Sequence, residues 1–213
     1  MKYGLFLLLL LSAVAPAVYA QTSTAPVPPA SAVAPPTGAM LQRYSTASGQ
    51  TTFFSSAPLE DIEALNSRVA AIFDLTSGQL AFSMYMKDFQ FKNSLMQEHF
   101  NENYAESDKY PRARFTGKLV LMPTEGQLRA GPQPVYVQGF LTIHNVKRKV
   151  RVPGTLQLRG NDLVVTSKFN VAPADYKIKI PALVRNNIAK SIDVSIILTC
   201  QPGQANPVGT ASR

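Results

Sequence analysis

The stretch Val135-Tyr136-Val137-Gln138-Gly139-Phe140-Leu141-Thr142-Ile143-His144 decides the fold. Val135, Val137, Gly139, Leu141 and Ile143 share one parity; Tyr136, Gln138, Phe140, Thr142 and His144 share the other. A period of two marks a half-buried strand, because successive side chains of an extended chain point to opposite faces. Downstream, Val146, Val150 and Val152 alternate with Lys147, Lys149 and Arg151. The period returns in residues 115–121, 163–171 and 192–200.

Upstream, Leu80, Phe82, Met84 and Met86 fall on even positions, then Phe89 and Phe91 on odd ones. That slip at Lys87-Asp88 predicts a bulge or a strand break. Alternation is weaker in 50–55, 62–66 and 69–75. Turn signals such as Ser77-Gly78, Gly126, Gly131-Pro132 and Gly160-Asn161-Asp162 punctuate the runs. Such spacing predicts an antiparallel sandwich or barrel. One segment has a helical period: Leu95, Met96, His99, Phe100 and Asn103 share a face, with Ser94 as the expected cap and Gln97 as its partner. A second short helix is expected near 182–188.

The ends differ in composition. Residues 1–20 carry Lys2, an apolar run from Leu5 to Leu11 and small residues Val18 and Ala20. This reads as a signal peptide cleaved near Ala20, which places the mature protein in the periplasm or outside the cell. The run is shorter than the roughly 20 residues that span a bilayer. Residues 21–39 read as a Pro/Ala-rich linker, 40–201 as the folded domain and 202–213 as a flexible tail.

Composition excludes several classes. A hydrophobic fraction of 46% excludes wholesale disorder. One Cys excludes an intramolecular disulfide framework and any zinc site of several thiolates. The net charge of +8 is polarised. From Met40 to Tyr110 there are 5 basic and 9 acidic residues; from Pro111 onward, 15 and 4. Part of this charge is expected to pair across the fold. Lys147, Lys149 and Arg151 are candidates for contact with an anionic membrane surface, the alternative being a solvated hairpin. Nucleic acid is disfavoured, since no stacking aromatics interleave these cations in sequence.

Catalytic readings find little support. His99 and Glu102 at i, i+3 fit a metal site, but a solvated helix face accounts for them as well, and no metal is expected. His144 lacks a G-x-S-x-G nucleophile motif and reads as a strand-end His bonded in a turn. Cys200 alternates with apolar residues and reads as a packed thiol. The Met and Phe content around 82–100 fits either an ordinary core or a lipid cavity.

Lys109-Tyr110-Pro111 followed by Phe115-Thr116-Gly117-Lys118 resembles the "yP…F.G" stretch of the YceI-like lipid/polyisoprenoid-binding family. Gly139-Phe140-Leu141-Thr142-Ile143-His144-Asn145-Val146-Lys147-Arg148 is similar to its "G.LTIHGV.k" stretch. Order, spacing and exported context agree over about residues 45–200. Asn145 stands where the family has Gly, and the first strands lack its "D..HS.i.F" opening.

The resemblance implies an all-β, lipocalin-like antiparallel barrel of eight strands with one or two short helices. It also implies a long apolar ligand, such as an isoprenoid, in the lumen, with no catalytic residues and no cofactor. The lumen candidates are Phe82, Met84, Met86, Phe89, Phe91, Met96, Phe100, Phe115, Leu119, Leu141, Ile143, Phe169 and Ile196. The helix is expected over one mouth, with Gly117 and Gly139 relieving strand curvature. The alternatives are a structural or envelope-interaction barrel without ligand and, further off, a hydrolase or metal-dependent enzyme.

Overall fold

A computed structural model describes residues 43–203. The expected signal peptide, the linker and the tail from residue 204 lie outside the described residues. Eight long strands form an up-and-down antiparallel barrel: β1 (Arg43–Ser56), β2 (Asp61–Asp74), β3 (Gln79–Tyr85), β5 (Arg112–Leu119), β6 (Gln133–Ile143), β7 (Val146–Arg159), β8 (Asp162–Val171) and β9 (Ile192–Pro202). A two-residue β4 (Gln90–Phe91) pairs beside β2. The barrel closes because β1 pairs with both β2 and β9. Closure removes the exposed edges that an open sheet would leave. β9 takes in Pro202, the first residue of the segment that reads as tail.

The strands with unbroken alternation hold their expected faces. In β6, Val135 and Leu141 are buried while Tyr136 and Phe140 are exposed. The β6–β7 hairpin turns on His144-Asn145, whose φ angles of 50° and 57° are those of a two-residue primed turn. Asn accepts that left-handed backbone more readily than most residues, so Asn145 can replace Gly there. The first strands look irregular because they are bulged. Inward positions of β2 pass from Ala64 and Asn66 to Val69 and Ala71, a change of parity. Buried Asn66 holds the bulge by donating to the Tyr85 carbonyl at 2.9 Å and accepting from the Arg68 N–H at 2.9 Å.

Gly117 and Gly139 face each other across β5 and β6. A Cβ on Gly139 would lie 2.2 Å from the Thr116 carbonyl oxygen and 2.8 Å from the Phe115 ring. The pair therefore lets two strands and an aromatic ring share one narrow part of the barrel.

The parity slip at Lys87-Asp88 is a strand break, with a 3-10 turn over Met86–Asp88. Helix α1 (Ser94–His99) runs into a π-helical turn, Phe100–Tyr104. Its cap is not Ser94. Asn93 has the extended backbone of a cap, and its side chain accepts from the Leu95 and Met96 N–H groups, while Ser94 is the first helical residue. Gln97 instead accepts from the Phe91 N–H, tying the helix to β4. The segment near 182–188 forms only a 3-10 turn, Ala182–Val184.

A second α-helix, α2 (Glu125–Ala130), lies where Gly126 signals only a turn in the sequence. Thr124 and Gln127 form its capping box. α2 seats Leu128, 1% exposed, against Leu75, Leu158, Leu163 and Cys200, closing one end of the barrel. Arg129 pairs with Glu125 at 2.7 Å and donates to the Gly160 carbonyl, fixing the helix to the β7–β8 turn.

Candidate ligand-binding site

The other end is open. There the strands enclose a cavity of about 290 Å³. β3 contributes Phe82 and Met84, β6 Leu141 and Ile143, β8 Phe169 and β9 Ile196. Met86, Phe89, Phe91, Met96 and Phe100 line it from the segment that follows β3. The helix therefore sits over the mouth, where Met96 and Phe100 reach inward.

Two candidates lie elsewhere. Leu119 belongs to the packed closed-end core with Leu128, and it lines neither this cavity nor the next one described. Phe115 borders only a second, smaller cavity of about 80 Å³ further down the barrel. Phe82, Leu141, Phe169 and Ile196 line both cavities and form the partition between them.

One wall is aromatic. Phe53, Phe89, Phe91 and Phe100 pack with ring centroids 5.1 to 5.7 Å apart, mostly edge to face. Phe53 escapes the sequence reading because β1 has mixed parity. Ile178, Ile180, Val184 and Ile188 also line the cavity, from the β8–β9 connection. Their signal is the short alternation Lys177-Ile178-Lys179-Ile180, easily lost beside Pro181.

Few polar groups touch the cavity. Glu60, His99, Tyr104 and Asn187 come from segments around the mouth. Deeper, Ser55 accepts from the Ala189 N–H at 2.9 Å. The Thr51 hydroxyl, on a residue 1% exposed, has no partner. The lining can thus bury apolar surface, worth about 25 cal/mol per Å².

The residues considered for chemistry are dispersed. His144 is outside the cavity lining; its Nε2 lies 2.7 Å from Glu106 Oε2 and its ring packs against that of Tyr110, tilted by 57° with centroids 4.1 Å apart. The hydrogen bond with His144 is the main cause that holds the Glu106 carboxyl below the usual carboxylate range. Burial pushes the Cys200 thiol up to about 12, with Asp162 adding to the rise, so the thiolate is suppressed. No group of three or more His, Cys, Asp or Glu is arranged to hold a metal among the described residues.

The charge does not pair across the barrel as expected. Arg129 and Arg148 are the only cations after Pro111 that join ion pairs among the described residues. Lys147, Lys149 and Arg151 stay exposed on the outer face of β7. The structure does bring aromatics to them from the next strand: Lys147 lies 4.4 Å from the Phe140 ring centroid and Arg151 4.4 Å from that of Tyr136. Sequence order hid this, because the partners come from β6.

A closed eight-stranded antiparallel barrel with an apolar cavity at one end belongs to the lipocalin-like class. A family model described as the YceI-like domain matches residues 38–200. The chain belongs to the YceI-like family. Its fold resembles that of a polyisoprenoid binding domain from Saccharophagus degradans implicated in plant cell wall breakdown: TM-score 0.66 and 17% identity, covering 76% of this chain and 99% of that one. It also resembles Burkholderia cenocepacia BcnA, with TM-score 0.60 and 15% identity over 71% of this chain and 95% of the other. The Campylobacter jejuni YCEI protein gives 0.53 and 14% over 65% and 84%. No curated protein matches the sequence.

Proposed function

We propose that this protein is an exported, non-enzymatic carrier that holds an isoprenoid or other long apolar lipid in the barrel lumen. The observation that carries the reading is the apolar cavity of about 290 Å³ at the open end. Apolar protein cavities of about 150 Å³ already take benzene. This one is near the lower bound of ligand pockets, roughly 300 Å³, so it suits one end of a chain. The name of the Saccharophagus degradans domain supports a polyisoprenoid as ligand class. Export rests on the character of residues 1–20. An anionic membrane surface is the proposed source of the ligand, with Lys147, Lys149 and Arg151 as contacts.

The test is extraction of natively purified, detergent-free protein with organic solvent, followed by mass spectrometry. A stoichiometric apolar lipid is expected. Protein that is empty after every preparation, and that takes up no fluorescent apolar probe, overturns the reading in favour of a ligand-free envelope barrel.

A further inference from the structure

The connection between β8 and β9, residues 172–191, crosses the open end as a strap. Both of its banks are anchored. On one side Tyr176 packs with Phe115 and Leu141, and Arg148 pairs with Asp175 at 3.3 Å. On the other, the Ala189 N–H donates to Ser55 Oγ at 2.9 Å and the Leu59 N–H donates to the Asn186 carbonyl at 3.3 Å.

Between these anchors the strap divides by side. Ile178, Ile180, Val184 and Ile188 line the cavity, while Lys177, Lys179, Arg185 and Lys190 are exposed. No acid occurs from Tyr176 to Ile192. The acids that flank this span, Asp175 and Asp193, are engaged by Arg148 and Asn170. None of the four strap cations joins an ion pair among the described residues. Leu183 on the strap is 93% exposed and Leu59 beside it 70%. Exposed leucines framed by unpaired cations, at the mouth of an apolar cavity, have the composition of a membrane-interface contact.

We propose that Leu59, Leu183 and the four strap cations dock the mouth of the barrel onto an anionic lipid bilayer. The docking gives the lipid-binding reading its route of entry and rests on it for purpose, but its physical basis is separate. The basic sign continues down β5 and β7, and β3, β5, β6 and β7 contain no acid. The bank under α1 is opposite in sign: Glu98 and Glu102 are exposed there and join no ion pair among the described residues, while Glu60 and Asp61 follow Leu59 at the edge of the docking face. The barrel therefore docks tilted, strap toward the bilayer and α1 away from it.

The test is co-sedimentation with vesicles of phosphatidylcholine alone and of phosphatidylcholine with roughly 30% phosphatidylglycerol, at low and high salt. Wild type is expected on the anionic vesicles only, released by salt. Combined Lys177→Glu, Lys179→Glu, Arg185→Glu and Lys190→Glu should weaken binding at least about 100-fold. Leu59→Ser with Leu183→Ser should weaken it about 10-fold. All six side chains are exposed, so thermal melting should change little. An environment-sensitive dye on Leu183→Cys should brighten with vesicles, and the same dye on Leu95→Cys should not. Wild type without preference for anionic vesicles, or a fourfold reversal that binds normally, overturns the proposal. So does loss of binding on reversing Lys147, Lys149 and Arg151 while the strap variants bind normally. A filled lumen without vesicle binding removes the docking alone; vesicle binding with a lumen that is always empty leaves the docking and removes the lipid carrier.

Discussion

The two ends of this barrel use the same eight strands differently. At the closed end, Leu163 and Cys200 are register partners with no exposure, and Leu128 from α2 fills the space between the strand ends. At the open end, α1 has no fully buried residue, and a strap of alternating Ile and Lys spans the gap. One end spends its apolar side chains on each other. The other leaves them facing a void, with part of their apolar surface available to a guest. Stability and binding are thereby separated along one axis, so a substitution should reveal its end by what it changes.

The largest contrast is expected from truncation. Leu163→Ala should cost about 2–5 kcal/mol, the range for a buried leucine that leaves a cavity. Met96→Ala should cost clearly less, since Met96 is only partly buried and already borders a void. Urea denaturation of both checks this, and equal losses would break the division. Joining the cavities sharpens it from the binding side. Phe82→Ala opens the partition, so the longest alkyl chain retained should lengthen. Each added methylene contributes about 0.8 kcal/mol, about fourfold in affinity. A chain-length series of fatty alcohols competing with a fluorescent probe reads this out.

Thiol reactivity probes the closed end directly. With its pKa raised to about 12, Cys200 should resist a disulfide reagent at pH 8 and react only as fast as the barrel unfolds. Labelling of native protein within mixing time would show the closed end to be loose.

Acid probes the open-end hairpin. The Glu106 carboxyl lies below its usual range because of His144. A depressed carboxylate contributes stability that is present above its unfolded pKa and is lost as pH falls through the folded one. The urea midpoint of wild type should therefore exceed that of Glu106→Gln at pH 7, and the gap should narrow as pH drops below about 4. A constant gap would remove the linkage. The smallest effect is expected at Thr51. Thr51→Val deletes a hydroxyl that has no partner, so the melting temperature should hold or rise slightly.

The sequence made some of this division readable and hid the rest for identifiable reasons. Strands with clean parity announced themselves: β6, β8 and β9 needed no structure. β1 and β2 did not, because bulges near Ala47 and Arg68 move their inward sets from one parity to the other, which also concealed Phe53. The helix over the mouth is legible in the sequence, but its cap lies one residue earlier than expected, since Asn93 and Ser94 are both good caps and only backbone angles choose between them. α2 was masked by Gly126 and betrayed only by Thr124 and Gln127. For the site, eleven of the thirteen lumen candidates border the mouth cavity. Parity told which side of a strand faces inward, but not how far down the barrel the packing becomes solid, and that is what separates Leu119 and Phe115 from the others. The strap is not legible in the sequence because its role depends on a crossing that no local pattern encodes.

The seam between β1 and β9 has a consequence for the making of the barrel. Gly203 donates its N–H to the Arg43 carbonyl at 2.7 Å, so the first and last described residues are neighbours. Bringing them together closes a chain of about 160 residues, the costliest encounter in the fold in chain entropy. The ring cannot be completed until its last strand has been synthesised; before that, β1 lacks one of its two partners. A short covalent join between Arg43 and Gly203, with new ends cut at Gly160-Asn161, would keep every strand's neighbours and turn the longest-range pairing into a local one.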